Sequence, residues 1–285
     1  MRVLRTALAV IAIVPLVGAG GTGPSSALAA RRLVLDRAAA ADAALQALEA
    51  AIAPGLDAAR RGSARVVTGD EAPGAELRVA AAELASADPI AAAGRRAIAS
   101  LEGARRILEV GSAIELDLPR GEVGSIAAQL EGTAAAADAF AGMRRRAERL
   151  VAGLQAALAA LEAGSLVEAR ELVVGARDDH AALAAWEVDL VTLPVWIDTT
   201  DAMIGSVEGI IRAAGVGDEE AAAAAAGEFA ALAEEAAPAD RALRIAIGEG
   251  GTAVTAAPLG RIADLLREVA LTRLEVASIV QAVGR

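Results

Sequence analysis

The sequence predicts an all-α protein, an elongated multi-helix bundle of long antiparallel helices with coiled-coil-like packing. Three observations carry that expectation. Apolar residues recur in steps of three and four along most of the chain, the spacing that keeps one helix stripe facing a partner. Alanine, the best helix former, supplies about eighty of the 285 residues, while aromatics are 1%. One uninterrupted stretch, Gly121 to Gly164, is too long to fit inside a compact globule.

That stretch sets the architecture. Its seam holds Val123, Ile126, Leu130, Ala137, Phe140, Ala147, Val151, Leu154, Leu158 and Leu161, broken only by Thr133 and Arg144. From Val123 to Leu161 the rise is roughly 58 Å. Ala127, Ala134, Ala136, Ala141, Met143, Leu150 and Ala157 flank the seam where a two-stranded coiled coil would carry charges. The apolar face is therefore broad, and the helix is expected among several helices of its own chain.

Residues 1–29 have the pattern of an export signal, cleaved or kept as an N-terminal membrane anchor. Arg2 and Arg5 precede an apolar run from Ala7 to Val17, and Ala27-Leu28-Ala29 has the small-x-small form of a cleavage site. The expected location is periplasmic, cell-surface or secreted; an uncleaved segment would leave the chain anchored and facing outside.

Residues 30–118 are expected to form an N-terminal helical segment. Val34, Ala38, Ala41, Leu45, Leu48 and Ile52 share one face until Pro54-Gly55 interrupts, and a continuation ends at Arg60 and Arg61. Residues 62–74 are expected to be a loop. A short helix over 76–85 follows, and Asp88-Pro89 opens another that buries Ile90, Ala97, Leu101, Ala104 and Leu108. Pro119 marks the boundary to a long-helix bundle over 119–285.

After the central helix, Ser165 starts a helix with Leu166, Ala169, Val173, Ala176 and Leu183 on one face. The junction from Leu158 to Leu172 resembles that of tetratricopeptide-type repeats, which implies a tight helical hairpin; no copy recurs at their 34-residue period. Pro194 restarts the chain, and Ile204, Val207, Ile210 and Ile211 follow. Gly217-Asp218-Glu219-Glu220 is a helix start. Further helices are expected from Pro238, ending at Gly248 to Gly251, and from near Pro258. The last has a seam of Leu259, Ile262, Leu266, Val269, Val276, Val280 and Val283, interrupted by Arg273, and is expected to pack along the central helix.

Chemistry is sparse. There is no cysteine and no lysine, so thiolate metal sites, disulfides and a lysine-bearing phosphate loop are excluded. Net charge is −11. An acidic chain repels nucleic acid and anionic membrane surfaces. The expected partner is a protein or a second copy bound through the long helices, with no nucleic acid, and a membrane only through the N-terminal segment. The lone histidine, His180, lies beside Asp178 and Asp179, with Glu187 and Asp189 following; this set can ligate a metal or act as a base, or it is an acidic surface patch. Asp198 and Asp201 bracket Thr199-Thr200, reading as a polar-ligand loop or a helix N-cap. Trp186, Trp196 and Met203 could line a pocket there or fill a core gap. Arg144, Arg145, Arg146 and Arg149 form the dense basic cluster, fit for an acidic partner or for ion pairs with neighbouring helices. No catalytic set and no cofactor is expected. The function these features point to is a non-enzymatic scaffold or interaction module of a bacterial envelope, with a ligand-binding or sensing bundle at Trp186 to Asp201 as the alternative.

Overall fold

The computed structural model describes residues 24–70, 72–108, 121–186 and 190–284. These residues form six helices and, among themselves, no strand: α1 Pro24–Thr68, α2 Pro73–Leu108, α3 Glu122–Glu162, α4 Leu166–Ala184, α5 Leu193–Val216 and α6 Glu219–Gly284. The protein is an all-α helical bundle.

Several expected breaks are absent. α1 continues through Pro54-Gly55 and through most of the expected loop, to Thr68. α2 is one helix across Asp88-Pro89. α6 runs 66 residues through Pro238, Gly248 to Gly251 and Pro258. Proline removes one donor and strains one turn, but packed neighbours on the apolar face hold the flanking turns in place. The glycines of α6 have a tertiary reason of their own. A Cβ at Gly250 would come within 2.6 Å of the Phe140 ring, and one at Gly251 would collide with Val66. They let α6 approach α3 and α1 closely.

Glycine also closes the tight turns. Gly164 and Gly217 have φ near +78° and +75°. Ser165 N–H donates to the Ala160 carbonyl at 2.8 Å, and Asp218 N–H to the Ala213 carbonyl at 2.9 Å. This is the left-handed helix stop that satisfies otherwise free carbonyls. Asp218 then caps α6, its carboxylate accepting the Ala221 N–H at 3.0 Å.

The central role of the Gly121 to Gly164 stretch is seen directly, since α3 touches all five other helices. Val123, Ile126, Leu130, Ala137, Phe140, Ala147 and Leu154 are buried, and so are the flanking Ala127, Ala134, Ala141, Met143, Leu150 and Ala157. The α1 seam from Val34 to Ile52 is fully buried. The last seam is shifted from the expected one. The buried positions are Ile262, Leu265, Val269, Thr272, Val276, Ile279 and Val283, whereas Val280 is exposed. Arg273 stays at the edge because its guanidinium reaches Asp42 at 2.9 Å and Glu49 at 2.8 Å.

Cross-contacts fix the register. Along α1 and α2, Gly55 meets Leu84 and Gly62 meets Leu77. Along α1 and α6, Asp42 meets Arg273 and Ser63 meets Thr255. Along α3 and α6, Arg261 meets Glu122 and Gln129, and Arg244 meets Glu148. Along α5 and α6, Trp196 meets Asp240 and Ser206 meets the Ala225 carbonyl. So α6 packs in succession on α5, α3 and α1; the expected contact of its last part with the central helix is made at Arg261, and beyond it α6 lies along α1. Its axis spans about 99 Å at 1.5 Å per residue. One core cluster runs from Val34 to Val283, with members from both sides of the expected 118/119 boundary; the boundary itself lies outside the described residues.

Candidate functional site

The basic cluster sits on α3 where the α1–α2 turn arrives. The last carbonyls of a helix lack intrahelical donors, and cations are favoured there. Arg144 Nη1 donates to the Val67 carbonyl, and Arg145 Nη1 donates to the Asp70 carbonyl at 2.9 Å. Arg144 Nε also donates to Glu148 Oε1 at 3.1 Å. On the other side, Arg149 makes a two-pronged bond to Asp179 of α4, and Arg146 approaches the same carboxylate at 3.5 Å. Glu148 further accepts from Arg244 at 3.3 Å, and Asp240 accepts from Arg244 Nε at 2.8 Å. The result is an ion-pair belt joining α1, α3, α4 and α6. Its arginines face carbonyls and carboxylates of the same chain.

His180 does not stand with a ligand set. Asp178 is exposed, and Asp179 faces the arginines. The half-buried His180 ring places Nε2 at 3.0 Å from the Ile197 carbonyl. That contact ties the last turns of α4 to the first turns of α5. Glu187 and Asp189 lie outside the described residues. Among the described residues, no three His, Cys, Asp or Glu side chains gather closely enough to hold a metal ion.

The tryptophans separate in role. Trp196 is fully buried, so it cannot line an open pocket; its Nε1 points to Asp240 Oδ1 at 3.4 Å, a long contact. Met203 is buried beside the same core. Trp186 is half-buried and meets Phe140 edge-on, ring centroids 5.4 Å apart at 81°. It borders an open groove of about 340 Å³ with Leu190, Leu193, Pro194, Ile197 and Asp198.

The expectation that Asp198 or its threonines cap a helix is corrected. α5 begins at Leu193, with Pro194 in its first turn, so 198–201 lie inside the helix. Thr199 and Thr200 instead bond back to the Val195 and Trp196 carbonyls, both at 2.8 Å. Asp201 lies 3.9 Å from Arg177, which pairs more closely with Glu208 at 2.9 Å.

The structure therefore brings Arg144, Arg145, Arg146 and Asp179 into one belt and leaves Asp198 and Trp186 at a separate groove. Sequence reading missed Asp240, Arg244, Asp42, Glu49 and Arg261 as cross-links. Their partners lie on other helices, between 44 and 231 positions away, and no local pattern signals such pairs. Compared with known proteins, the chain matches no family model, no curated protein and no solved structure.

Proposed function

We propose that this chain is an exported, non-enzymatic helical scaffold or interaction module of a bacterial envelope, engaging a protein partner or a second copy through its long helices. The observation that carries the reading is α6, one helix that packs in turn on α5, α3 and α1 and so sets the length of the body. The ion-pair belt supports it, because the polar residues most suited to chemistry are spent on holding helices together. The signal-like pattern of residues 1–29 supports the location. No helix of the described residues is long and apolar enough to cross a membrane.

Small-angle scattering tests the shape. A rod near 100 Å long has a radius of gyration approaching 30 Å, against about 19 Å for a compact chain of this size. Carboxylate-directed or photo-activated cross-linking in the native envelope fraction tests the partner; adducts on α3 or α6 are expected. A compact particle with no adduct would overturn the reading.

The groove beside Trp186 favours a second reading, an extracytoplasmic bundle that binds or senses a small ligand. Tryptophan emission across a metabolite screen tests it, and a response lost in Trp186→Phe is its expected sign.

A further inference from the structure

The whole-chain charge conceals a segregation. By the register above, the start of α1, the end of α2 and the end of α6 lie together at one end of the body. Take the slab formed by α1 to Leu45, α2 from Gly94 and α6 from Arg273. It holds eight arginines (Arg31, Arg32, Arg37, Arg95, Arg96, Arg106 and Arg273, with Arg105 buried) against four carboxylates (Asp36, Asp42, Glu102 and Glu275); the sequence after Leu108, outside the described residues, adds Arg120 against Glu109, Glu115 and Asp117. The remaining described residues hold fifteen arginines against twenty-eight carboxylates. Arg31, Arg32, Arg37 and Arg96 make no ion pair among the described residues.

The same end carries exposed grease. Of the fifteen exposed large hydrophobic side chains described, six are here: Leu28, Leu33, Leu35, Ile107, Leu274 and Val280. Five of these are leucine or isoleucine, whereas toward the other end, along α4 and at the α5–α6 turn, the exposed set is Val167, Val174 and Val216. A groove of about 870 Å³ opens alongside, between α1 and α6, floored by Leu35, Ala39, Ala270, Leu274, Ala277 and Val280. Pro24 begins α1 at this end. A retained apolar segment would therefore join the body here.

We propose that this basic, leucine-bearing end docks on an anionic membrane surface. Lipid phosphates would neutralise the exposed Arg31, Arg32 and Arg96, and the exposed leucines would enter the headgroup boundary. Basic charge and apolar side chains together bind such surfaces, each cation near the surface strengthening the attraction. The acidic remainder of the body is repelled by the same surface, which orients it outward. The inference rests on this end's composition and goes beyond the scaffold reading; a purified vesicle assay reports on it whatever the protein's location or partner.

The chain has no cysteine, so single labels are clean. Leu33→Cys, Ile107→Cys and, at the far end, Val174→Cys would each carry an environment-sensitive fluorophore in the full chain. On vesicles of mixed phosphatidylglycerol and phosphatidylcholine, labels at 33 and 107 should shift to the blue. They should be silent on phosphatidylcholine alone and return in high salt, with the label at 174 unmoved throughout. The triple variant Arg31→Gln, Arg32→Gln, Arg96→Gln should bind roughly a hundredfold more weakly with its circular dichroism unchanged. Equal shifts on uncharged vesicles would mean that apolar insertion alone is at work and would overturn the proposal. So would an equal shift at 174, or no shift at all. Shifts that appear without vesicles as protein concentration rises would assign the end to a second copy instead, and would overturn it too.

Discussion

Arg149 donates two hydrogen bonds to Asp179, Nε to Oδ2 at 3.0 Å and Nη2 to Oδ1 at 2.8 Å. The pair fastens α4 to α3 across 30 residues. Exposed ion pairs are worth little, and a two-pronged one sits at the upper part of that range. Arg149→Ala and Asp179→Ala should each cost about 1 kcal/mol in urea unfolding. The double variant should cost no more than the larger single one, as expected for a shared interaction.

The same pair has a defined pH behaviour. The Asp179 hydrogen bond holds the Arg149 guanidinium above the usual arginine value, with burial working against it. Arg273 is raised likewise, first by its hydrogen bond to Asp42. A raised pKa adds stability that is complete below the unfolded value and is lost as pH climbs through the folded one. For arginine both lie in strong alkali. The stability difference between the wild type and Arg273→Ala should therefore stay flat from about pH 6 to about pH 10. A series of denaturant titrations at stepped pH would show a slope if this were wrong.

Gly251 and Gly260 should respond oppositely to alanine. A Cβ at Gly251 would strike the Val66 side chain, while one at Gly260 meets nothing within 4 Å. Gly251→Ala should cost about 1–3 kcal/mol through overpacking. Gly260→Ala should gain about 0.5–1 kcal/mol through helix propensity. Thermal melts of the two variants decide the matter by the sign of the shift.

Pro54 and Pro238 are exposed and lie inside α1 and α6. Each removes a helix hydrogen bond without burying a ring. Pro54→Ala and Pro238→Ala should each raise stability, by up to about 3 kcal/mol. A lowered unfolding midpoint would show that the proline itself is needed for packing.

Trp196→Ala should cost about 3–5 kcal/mol, because the indole is fully buried. Acrylamide should quench Trp186 first, so the Trp196→Phe variant should retain the more quenchable emission.

Periodicity made the helices legible and left their ends obscure. Val34 to Ile52 and Val123 to Leu154 could be read as buried stripes because burial repeats with the turn of the helix. The continuity of α6 could not, since Pro258 and Gly251 are local stop signals overruled by contacts with other helices. The shifted seam near Val280 has a similar origin. Val280 and Ile279 are equally apolar, and only the position of α1, fixed in part by Arg273 and Asp42, decides which of them turns inward. At the candidate site, the clustering of arginines was visible, but the choice of Asp179 over Asp178 as their partner depends on which side of α4 meets α3.

The register that brings Val34 of α1 level with Val283 of α6 also sets how the body would bear a load. Tension drawing these two points apart would open the α1–α6 seam contact by contact, as a zipper opens, and each contact would resist alone. Tension between this end and the turn at Gly164 would instead slide α6 along α3 and α1, loading Arg244, Arg261 and Arg273 together. Contacts that share a load along the length resist together, whereas contacts peeled from one end yield in turn.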